Sequence, residues 1–350
     1  MPRIVVKDTP LNRHVRMARR PSGKLLAADL ELAEAPIPEP GPGEALVRNT
    51  WLSIDPSIRI RLAETTPNGY LPPLRPGDEL SGLALGTVIE SRCPDFAVGD
   101  LVSHTLGYRE YALVGARTQT IGGYGAASRI DAGDLPPQWF LGPLGSAGLT
   151  AYVGLFEILD LDADDTLWVS SAAGAVGVLA AQLAKIRGAT VIGSAGSPAK
   201  VAFLCDELGI PAFDYHDGPL PESLAALAPG GIDAYFDNVG GDHLTAALDI
   251  LRPSGRIALC GAVSGYDGAV PQGPPNLFTM VSKGLRMRGF RAGSFLHLEK
   301  SMRREVGRYL ADGRLVYRET VFDGIESAST ALPAMLSGLT TGKTLCRLAF

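Results

Sequence analysis

Three small residues at a fixed spacing, Ala172, Gly174 and Gly177, stand in the segment SSAAGAVG at residues 170–177. The spacing is a variant of G-x-G-x-x-G, with alanine in the first place. Residues this small let the main chain come close to a pyrophosphate, whose charge is met by the amino end of the following helix. Gly177 then allows that helix to pack closely on the preceding strand. The spacing therefore predicts a dinucleotide site at this turn.

The same segment lies in an uncharged run of nineteen residues, Thr166 to Ala184, which is long enough to cross a bilayer. Its content argues against a membrane span, because glycines, hydroxyl side chains and alanines make up much of the run. It also begins with the strand-like Leu167-Trp168-Val169. A buried junction between a strand and a helix explains both the missing charge and the glycines.

The residues after the turn bear on which dinucleotide it would hold. A free adenosine ribose usually meets an acidic residue about 20 residues after the fingerprint, yet no Asp or Glu stands between Gly177 and Asp206. Instead the second strand ends in Gly193-Ser194-Ala195-Gly196-Ser197, and Lys200 follows. Hydroxyl, amide and ammonium donors suit a 2′-phosphate, which a carboxylate would repel. We therefore expect NADP(H) rather than NAD(H); the alternative is that Lys200 is only a solvated residue in the first turn of a helix.

Composition places the chain among globular proteins. It has 350 residues, 46% hydrophobic and 20% charged, with 42 glycines and 26 prolines, so it is long enough for two domains and rich in turns. The net charge of −5 gives no reason to expect nucleic acid or an anionic membrane as partner. Four separated cysteines suggest neither a disulfide framework nor a zinc cluster. The opening MPRIVVKDTP lacks the design of a secretion signal, so a cytoplasmic setting is expected.

The predicted secondary structure around this turn differs between the first and the later part of the chain. From Pro36 to about Gly125, short apolar runs are cut by turn residues, which predicts a β-rich region. After Pro136-Pro137, strand-like and helix-like segments alternate, a pattern typical of βαβ units and a parallel sheet. These segments are TLWVSS, VGVLAAQLAKIRG, TVIGSAG, PAKVAFLCDELG, AYFDNV, HLTAALDIL and GRIALCG. A helix is expected from about Leu296 to Ala311, and the final strand, KTLCRLAF, is a candidate to rejoin the first region.

Several longer segments carry a resemblance to a known family. They are WLSIDPSIRIRL, LGSAGLTAYVGL, SSAAGAVG, VIGSAGSPAKVAFL, FDYHD, YFDNVGG, RIALCGAVSGY, LRMRGF and GLTTGKTLCRL. By these segments the chain resembles zinc-independent medium-chain dehydrogenase/reductases, in the branch of leukotriene B4 12-hydroxydehydrogenase, prostaglandin reductase and NADP-dependent alkenal or curcumin reductases. The resemblance implies an α/β fold with a GroES-like β-rich catalytic domain at 1–128 and a doubly wound Rossmann NADP-binding domain at 129–307. A segment at 308–350 would return to the catalytic domain.

The resemblance also implies how the cofactor would be held. The turn from Gly174 through Ala175 and Val176 to Gly177 would hold the pyrophosphate, and Gly196, Ser197, Lys200 and Tyr215 would surround the 2′-phosphate. The nicotinamide half would be lined by Asn238, by Cys260, Gly261, Ala262, Val263 and Tyr266 of one loop, and by Phe290, Arg291 and Ala292. Three structural alternatives stay open: Tyr215 caps a strand, Asn238 satisfies a turn, and Cys260 is a small buried hydrophobe.

Three positions depart from the pattern of this branch. Ser57 stands where a tyrosine near the substrate is usual, Thr340 where an asparagine near the cofactor is usual, and Arg291 where an apolar residue is commoner. Ser57 and Tyr266 are expected to line the substrate pocket, so the serine leaves the preferred substrate size open. Arg291 either changes the charge of the pocket or points to solvent.

The larger superfamily includes zinc alcohol dehydrogenases, which need a catalytic cysteine and a histidine beside an acid. The corresponding region here reads PGDELSG, without histidine. Asp78 and Glu79 are expected to have no thiolate or imidazole companion nearby, and no metal site is expected.

Without a metal, a carbonyl has to be polarised by hydrogen-bond donors alone, and reduction of a conjugated C=C bond fits that limit. Hydride adds to the β-carbon, negative charge gathers on the carbonyl oxygen, and a proton reaches the α-carbon. Tyr266 is the candidate donor or proton relay, because a neutral phenol can give a hydrogen bond; the ribose hydroxyl of the cofactor is an alternative. The expected function is NADPH-dependent reduction of alkenals or enones.

Two rival functions stay open. One is an NADPH:quinone oxidoreductase of zeta-crystallin type, and the other is a noncatalytic NADPH-binding protein. The expected partner is a small-molecule enone or alkenal, with no nucleic acid and no membrane. The edge strand near LRMRGFRAG is expected to pair two copies into a homodimer.

Overall fold

The computed structural model of the protein describes residues 11–115, 127–267 and 273–348. The first ten residues, on which the expectation about a secretion signal rests, lie outside this description. None of the helices in these ranges combines the length and the apolar character that crossing a bilayer requires.

The first part of the chain forms antiparallel β structure, as its short apolar runs predict. Its strands are β1 (Leu11–Met17), β2 (Leu30–Pro36), β3 (Glu44–Ser53), β4 (Ala84–Ser91), β5 (Leu101–His104), β6 (Tyr111–Gly115) and β7 (Ser128–Arg129). β1 and β2 pair with each other, whereas β3, β4, β5 and β7 are successive neighbours in a larger sheet and β6 also pairs with β3. A short helix, α1 (Ser57–Arg61), follows β3 and brings Ser57 to its first position.

The alternation predicted after Pro136 produces a six-stranded parallel sheet. Its strands are β8 (Thr166–Val169), β9 (Thr190–Ala195), β10 (Ala212–Asp214), β11 (Ile232–Asp237), β12 (Leu251–Leu259) and β13 (Arg286–Gly289). They lie in the order β10-β9-β8-β11-β12-β13, and all neighbouring pairs are parallel. This is the 3-2-1-4-5-6 order of a doubly wound nucleotide-binding fold, whose strand order reverses between β8 and β11. The predicted Rossmann sheet is confirmed.

The helices of this part are α2 (Ser146–Val153), α3 (Gly177–Arg187), α4 (Pro198–Ala202), α5 (Leu220–Leu227), α6 (Gly241–Ile250), α7 (Thr279–Ser282) and α8 (Glu299–Ala311). Both α2 and α4 continue into a π-helical turn, at Gly154–Ile158 and Phe203–Glu207. The helix predicted from Leu296 is preceded by a 3-10 segment, Ala292–Leu298, so regular α-helix begins only at Glu299.

The last part of the chain returns to the antiparallel sheet. β14 (Glu319–Asp323) pairs in parallel with β15 (Lys343–Arg347), and α9 (Ala328–Leu336) connects them. β15 in turn pairs antiparallel with β3. The boundaries at residues 128 and 307 stay a prediction.

Trp168 of β8 anchors the inside of the parallel sheet. It is fully buried, and its ring stacks on Tyr235 of β11 with the centroids 4.4 Å apart. Its indole Nε1 donates to Ser194 Oγ of β9 at 3.2 Å. One large side chain therefore joins the three strands whose carboxyl ends carry the site.

Candidate active site

A cleft of about 1190 Å³ is lined by residues of both sheets and of the loops that follow them. It exceeds the roughly 300–1,000 Å³ of a pocket for one drug-sized ligand. On one side lie the carboxyl ends of the parallel strands, and on the other lie α1 and the loop before β15. The cleft has room for a dinucleotide and a second small molecule.

The turn after β8 has the geometry of a phosphate cradle. Ser171 has a φ of 49°, in the left-handed region, and α3 begins at Gly177. A Cβ added at Gly177 would lie 2.2 Å from the Ser171 carbonyl oxygen, so a larger residue would force the turn open. Gly174 and Gly177 both line the cleft. Backbone N–H groups at the start of a helix suit an anion placed there.

The C-terminal segment supports this turn from the other side of the cleft. The Gly342 N–H donates to the Ala173 carbonyl at 2.8 Å. Gly342 has a φ of 70°, and a Cβ there would lie 1.9 Å from the Arg318 carbonyl oxygen. Glycine is therefore required for the chain to enter β15 while touching the turn.

Gly196, Lys200 and Tyr215 line the cleft close to where β9 and β10 end in the sequence. Lys200 Nζ donates to the Gly338 carbonyl at 2.6 Å, and burial lowers the pKa of its ammonium group. A Cβ at Gly196 would lie 2.5 Å from the Tyr215 hydroxyl, so glycine is what allows the phenol to lie there. A phosphate dianion here would stabilise the desolvated Lys200 ammonium group more than the neutral Gly338 carbonyl does, because its charge is opposite.

The opposite half of the cleft is organised around Asp237, at the end of β11. Its Oδ1 accepts hydrogen bonds from the Tyr235 hydroxyl at 2.8 Å and from the N–H groups of Val239 and Gly240 at 2.9 and 2.8 Å. Burial nevertheless raises the pKa of this fully buried carboxyl group. Asp237 thus fixes the loop after β11 from beneath.

Asn238 spans the point at which the strand order reverses. Its N–H donates to Ser170 Oγ at 2.9 Å, and its Nδ2 donates to the Ser170 carbonyl at 2.7 Å. Because Ser170 directly follows β8 and Asn238 directly follows β11, these bonds set the width of the crevice. Asn238 also lines the cleft. It therefore satisfies the backbone of a turn and lies beside the candidate ligand site.

The loop 260–267 rests on the residues after β11. The N–H groups of Cys260 and Gly261 both donate to the Asp237 carbonyl, at 2.9 and 3.0 Å. Burial raises the pKa of the Cys260 thiol to about 12, so the side chain behaves as a small hydrophobe. The loop carries Tyr266 into the cleft, where its hydroxyl accepts a long hydrogen bond of 3.4 Å from the Ala262 N–H. Burial raises the pKa of this phenol, which therefore keeps its proton near neutral pH.

Two arginines join the antiparallel part to the nucleotide side of the cleft. Arg59 of α1 is 2% exposed, and its Nε donates to Asp267 Oδ1 at 3.2 Å. Arg291 Nη1 donates to the Gly69 carbonyl at 3.3 Å. Arg291 lines the cleft wall and is also exposed to solvent, so both alternatives for this residue stay open.

Two residues that line the cleft, Tyr70 and Lys343, are not among the site residues predicted from the sequence. Tyr70 lies in the loop after α1, and its side chain lines the cleft. Lys343 is 2% exposed, and its Nζ donates to Asp55 Oδ1 at 2.7 Å and to the Ile54 carbonyl at 3.1 Å. Lys343 lies in the segment GLTTGKTLCRL. No local sequence pattern predicts its contact with Asp55, because 288 residues separate the two.

Most of the predicted site residues line this cleft. They are Ser57, Gly174, Ala175, Val176, Gly177, Gly196, Lys200, Tyr215, Asn238, Cys260, Gly261, Val263, Tyr266, Phe290, Arg291, Ala292 and Thr340. Ser197 and Ala262 lie outside the lining: Ser197 caps α4 by accepting the Lys200 N–H at 3.4 Å, and Ala262 is exposed. The role of each residue toward a ligand stays a prediction.

One expectation about the region PGDELSG is wrong. Glu79 does have an imidazole companion, because His14 Nε2 lies 3.6 Å from its Oε1, and Arg109 Nη1 lies 2.7 Å from its Oε2. His14 comes from β1, too far away in sequence for a local pattern to reveal it. Among the described residues, no three His, Cys, Asp or Glu side chains cluster as a metal site requires.

A doubly wound sheet, a glycine turn at its switch point and a β-rich part that closes the cleft define a class: a two-domain, dinucleotide-binding oxidoreductase. The chain belongs to the medium-chain dehydrogenase/reductase family, in the branch of prostaglandin, alkenal and curcumin reductases. Residues 13–121 match the family model described as the N-terminal domain of oxidoreductase, and residues 175–308 match the model described as zinc-binding dehydrogenase.

Relatives of known activity match over nearly the full length. The NADP(+)-dependent 2-alkenal reductase of Nicotiana tabacum is 37% identical over 338 residues, which are 95% of this chain and 96% of the relative. The NADPH-dependent curcumin reductase of Escherichia coli is 34% identical over 347 residues, 97% of each chain. CurA from Vibrio vulnificus, solved in complex with NADPH, superposes with a TM-score of 0.88 at 32% identity, covering 97% of this chain and 99% of that one. The fold and family implied by the sequence segments are confirmed.

Proposed function

We propose that this protein reduces the C=C bond of α,β-unsaturated aldehydes or ketones, with NADPH as the hydride donor. The observation that carries the proposal is the protonated Tyr266 phenol, which lines the same cleft as a glycine turn suited to a pyrophosphate. The names of the tobacco, Escherichia coli and Mentha piperita relatives, which are 33–37% identical, describe alkenal, curcumin and pulegone reductases. They support the same reaction class here.

The preference for NADPH rests on the adenosine end of the cleft. Lys200 is the ammonium group there, and the chain has no Asp or Glu between Gly177 and Asp206. A 2′-phosphate would replace the Gly338 carbonyl as the partner of Lys200 Nζ, while Tyr215 offers a phenol beside it. A dianion stabilises a partly desolvated ammonium group more than a neutral carbonyl does.

When bound, the reduced nicotinamide supplies a hydride, with its electron pair, to the β-carbon of the substrate. The task of the protein is to hold the carbonyl oxygen, where the displaced π-electron pair of the C=C bond becomes the negative charge of an enolate. Tyr266 donates a hydrogen bond to that oxygen and stabilises the enolate. A proton then reaches the α-carbon, either from Tyr266 or directly from water. If Tyr266 gives the proton, solvent reprotonates the phenol. The products are the saturated carbonyl compound and the oxidised cofactor.

The proposal is tested by following NADPH consumption with a panel of small alkenals, long-chain enones and aryl enones. We expect turnover with at least one class, and the saturated carbonyl compound as the product by mass spectrometry. Reduction of the carbonyl group to an alcohol, with the C=C bond intact, would contradict the proposed reaction. NADPH that binds tightly but is not consumed with any activated alkene would instead support the noncatalytic alternative.

A quinone belongs in the same panel, because quinone oxidoreductases share the fold. The Escherichia coli enzyme superposes with a TM-score of 0.76 at 22% identity, a level that speaks for the fold alone. Faster NADPH oxidation with a quinone than with every enone would favour this rival. The higher identity to alkenal and curcumin reductases favours the enone.

A further inference from the structure

Lys343, the first residue of β15, is a buried cation that the proposed reaction does not use. Its Nζ donates to Asp55 Oδ1 at 2.7 Å and to the Ile54 carbonyl at 3.1 Å. The second carboxylate oxygen, Asp55 Oδ2, accepts a hydrogen bond from Ser53 Oγ at 2.5 Å. Both charged residues line the cleft. The ammonium group and the carboxylate are therefore held in one arrangement at the cleft wall.

An ion pair of this kind contributes little to the stability of a fold. The desolvation cost of the charges offsets much of their attraction, so an apolar pair of similar size is often as stable. A charged pair differs from an apolar pair in its directionality, because each hydrogen bond requires its donor and acceptor in a particular geometry. What the Lys343–Asp55 pair orients is shown by the backbone on its two sides.

On one side, Lys343 is joined to the turn that is suited to a pyrophosphate. The preceding residue, Gly342, donates its N–H to the Ala173 carbonyl at 2.8 Å and forms a parallel β-bridge with Gly174. The N–H of Lys343 itself donates to the Arg318 carbonyl at 3.0 Å. The backbone that carries the ammonium group is thus fixed against the nucleotide turn.

On the other side, Asp55 is joined to α1. Its carbonyl accepts the Ile58 N–H at 3.3 Å, in the turn that leads into this helix. Arg59 of the same helix forms the ion pair with Asp267, which directly follows Tyr266. A shift of Asp55 would therefore be passed through α1 to the loop that carries the candidate catalytic phenol.

We propose that Lys343 and Asp55 are positioning residues for hydride transfer, and that their ion pair sets the distance between the nucleotide turn and α1. The proposal rests on the enone reduction proposed above. Hydride transfer requires the reacting atoms to lie about 3–3.5 Å apart, and a misplacement of about 1 Å can lower the rate about a hundredfold. The two residues act through the backbone that they hold, not on the reacting atoms.

The test removes both charges together, so that neither is left without its partner. In the double variant Asp55→Asn with Lys343→Met, the amide oxygen can still accept the Ser53 hydroxyl, and the methionine fills the space of the lysine stem. We expect urea unfolding and NADPH affinity close to those of the wild type. Stopped-flow single turnovers, with enzyme in excess over NADPH and saturating 4-phenyl-3-buten-2-one, give the rate constant of hydride transfer. It should fall about tenfold to a hundredfold with the full amplitude retained.

Two further readouts separate a positioning role from a merely structural one. A loss of folded protein lowers the amplitude but not the rate constant, and deuterium at the transferred position of NADPH identifies the transient as hydride transfer. Hydrogen exchange of the cofactor-free protein does not depend on turnover. The amides of Ile58 and Gly342 should lose protection in the double variant, because the pair no longer holds the backbone at either end.

The matched control removes an ion pair away from the cleft. Arg256 Nη2 donates to Asp165 Oδ2 at 2.5 Å, and Asp165 directly precedes β8, at the opposite ends of the parallel strands from the cleft. Both residues belong to the described part of the chain and lie outside the cleft lining. Asp165→Asn with Arg256→Met should keep the wild-type rate constant.

Asp55→Glu is a second variant, which keeps both charges but lengthens the acid by one methylene group. It should fold and should lower the rate constant by a smaller factor than the double variant. A wild-type rate constant in either variant, or a loss of amplitude alone, would overturn the positioning role and leave the proposed function standing. A wild-type protein that reduces no enone would overturn both.

Discussion

Arg59 and Asp267 form an ion pair across the cleft, with 3.2 Å between Nε and Oδ1, although 208 residues separate them in sequence. The guanidinium group is almost fully buried, and its Nη2 also donates to the Gly23 carbonyl at 2.7 Å. Asp267 directly follows Tyr266. The antiparallel part of the protein therefore holds the backbone that presents the candidate catalytic phenol.

Removing the acid should loosen that loop and leave a buried charge without its partner. For Asp267→Ala we expect a loss of about 1–3 kcal/mol in the free energy of unfolding, below the value for a fully buried pair because Asp267 is partly exposed. Turnover should fall about tenfold, because Tyr266 is no longer held in place. Urea unfolding and steady-state kinetics measure the two effects. Glu207→Ala, which removes the exposed partner of Arg318, is the control and should change neither substantially.

Tyr266→Phe removes only the hydroxyl group from the cleft. If the phenol stabilises the enolate, turnover of an enone falls at least about tenfold, while NADPH affinity changes little because the ring remains. Stopped-flow kinetics with NADPH in excess and fluorescence titration of NADPH measure the two quantities separately. Wild-type turnover in this variant would reject the catalytic role and favour the ribose hydroxyl of the cofactor.

Lys200→Ala tests the choice between the two dinucleotides. We expect NADPH affinity to fall about tenfold to a hundredfold, the value of one charge-assisted hydrogen bond, with little change for NADH. Calorimetry at low and high salt gives both affinities. Lys185→Ala is a matched control, because Lys185 Nζ also binds backbone carbonyls, those of Leu208 and Gly209 at 2.7 and 2.9 Å. NADH binding to the wild type as tightly as NADPH, even at low salt, would show that the 2′-phosphate is not recognised.

Acid should destabilise the protein through a buried histidine. Leu106 N–H donates to His104 Nδ1 at 3.1 Å, and Nε2 lies 2.8 Å from Asn49 Oδ1, which together fix one neutral tautomer. Burial lowers the pKa of His104 to about 3, so below pH 6.5 the unfolded chain binds a proton that the folded protein does not. Stability should therefore fall as the pH falls from 6.5 toward 3, by about 1.4 kcal/mol per pH unit from this residue.

Urea unfolding between pH 7 and pH 5 measures this slope. His104→Gln should reduce the slope by about that amount, whatever its effect on stability at pH 7. The exposed His297 provides the control, since His297→Gln should leave the slope unchanged. An unchanged slope in His104→Gln would mean that another group sets the acid sensitivity.

We propose that the homodimer expected from the sequence forms at β13. This strand ends the order of the parallel sheet, and nearby Phe278 and Val281 are 75% and 71% exposed. A second copy that extends the sheet here would cover both side chains. We expect light scattering to give the mass of two chains, and Phe278→Lys with Val281→Lys to give one. The control is Val98→Lys, which changes a valine of the antiparallel part that is 65% exposed; a monomeric wild type would contradict the proposal.

The fold could be predicted because its signals are local. Alternating segments from TLWVSS to GRIALCG became β8, α3, β9, α4, β11, α6 and β12, and the glycine turn stands where strand and helix meet. Most candidate residues lie directly after those strands, so parallel order alone brings them together. The π-helical turn after α4 and the late start of α8 were not predicted, because the same hydrophobic spacing fits several helical forms.

The contacts that hold the substrate side could not be predicted from local patterns. The Arg59–Asp267 and Lys343–Asp55 ion pairs form only because distant parts of the chain come together in the fold. Arg291 likewise binds the Gly69 carbonyl, which precedes it by 222 residues. Sequence spacing reports which residues share a helix face or a strand end, but it does not report which loops meet across a cleft.

The raised pKa of the Cys260 thiol has a consequence for the lifetime of the protein. Conjugated aldehydes and ketones alkylate thiolates, and burial, which raises the pKa of this thiol to about 12, keeps it protonated at pH 7. This thiol lines the cleft, yet it should react only slowly with a conjugated carbonyl compound bound there. An enzyme with the proposed activity would in this way be spared alkylation by its own substrate at this thiol.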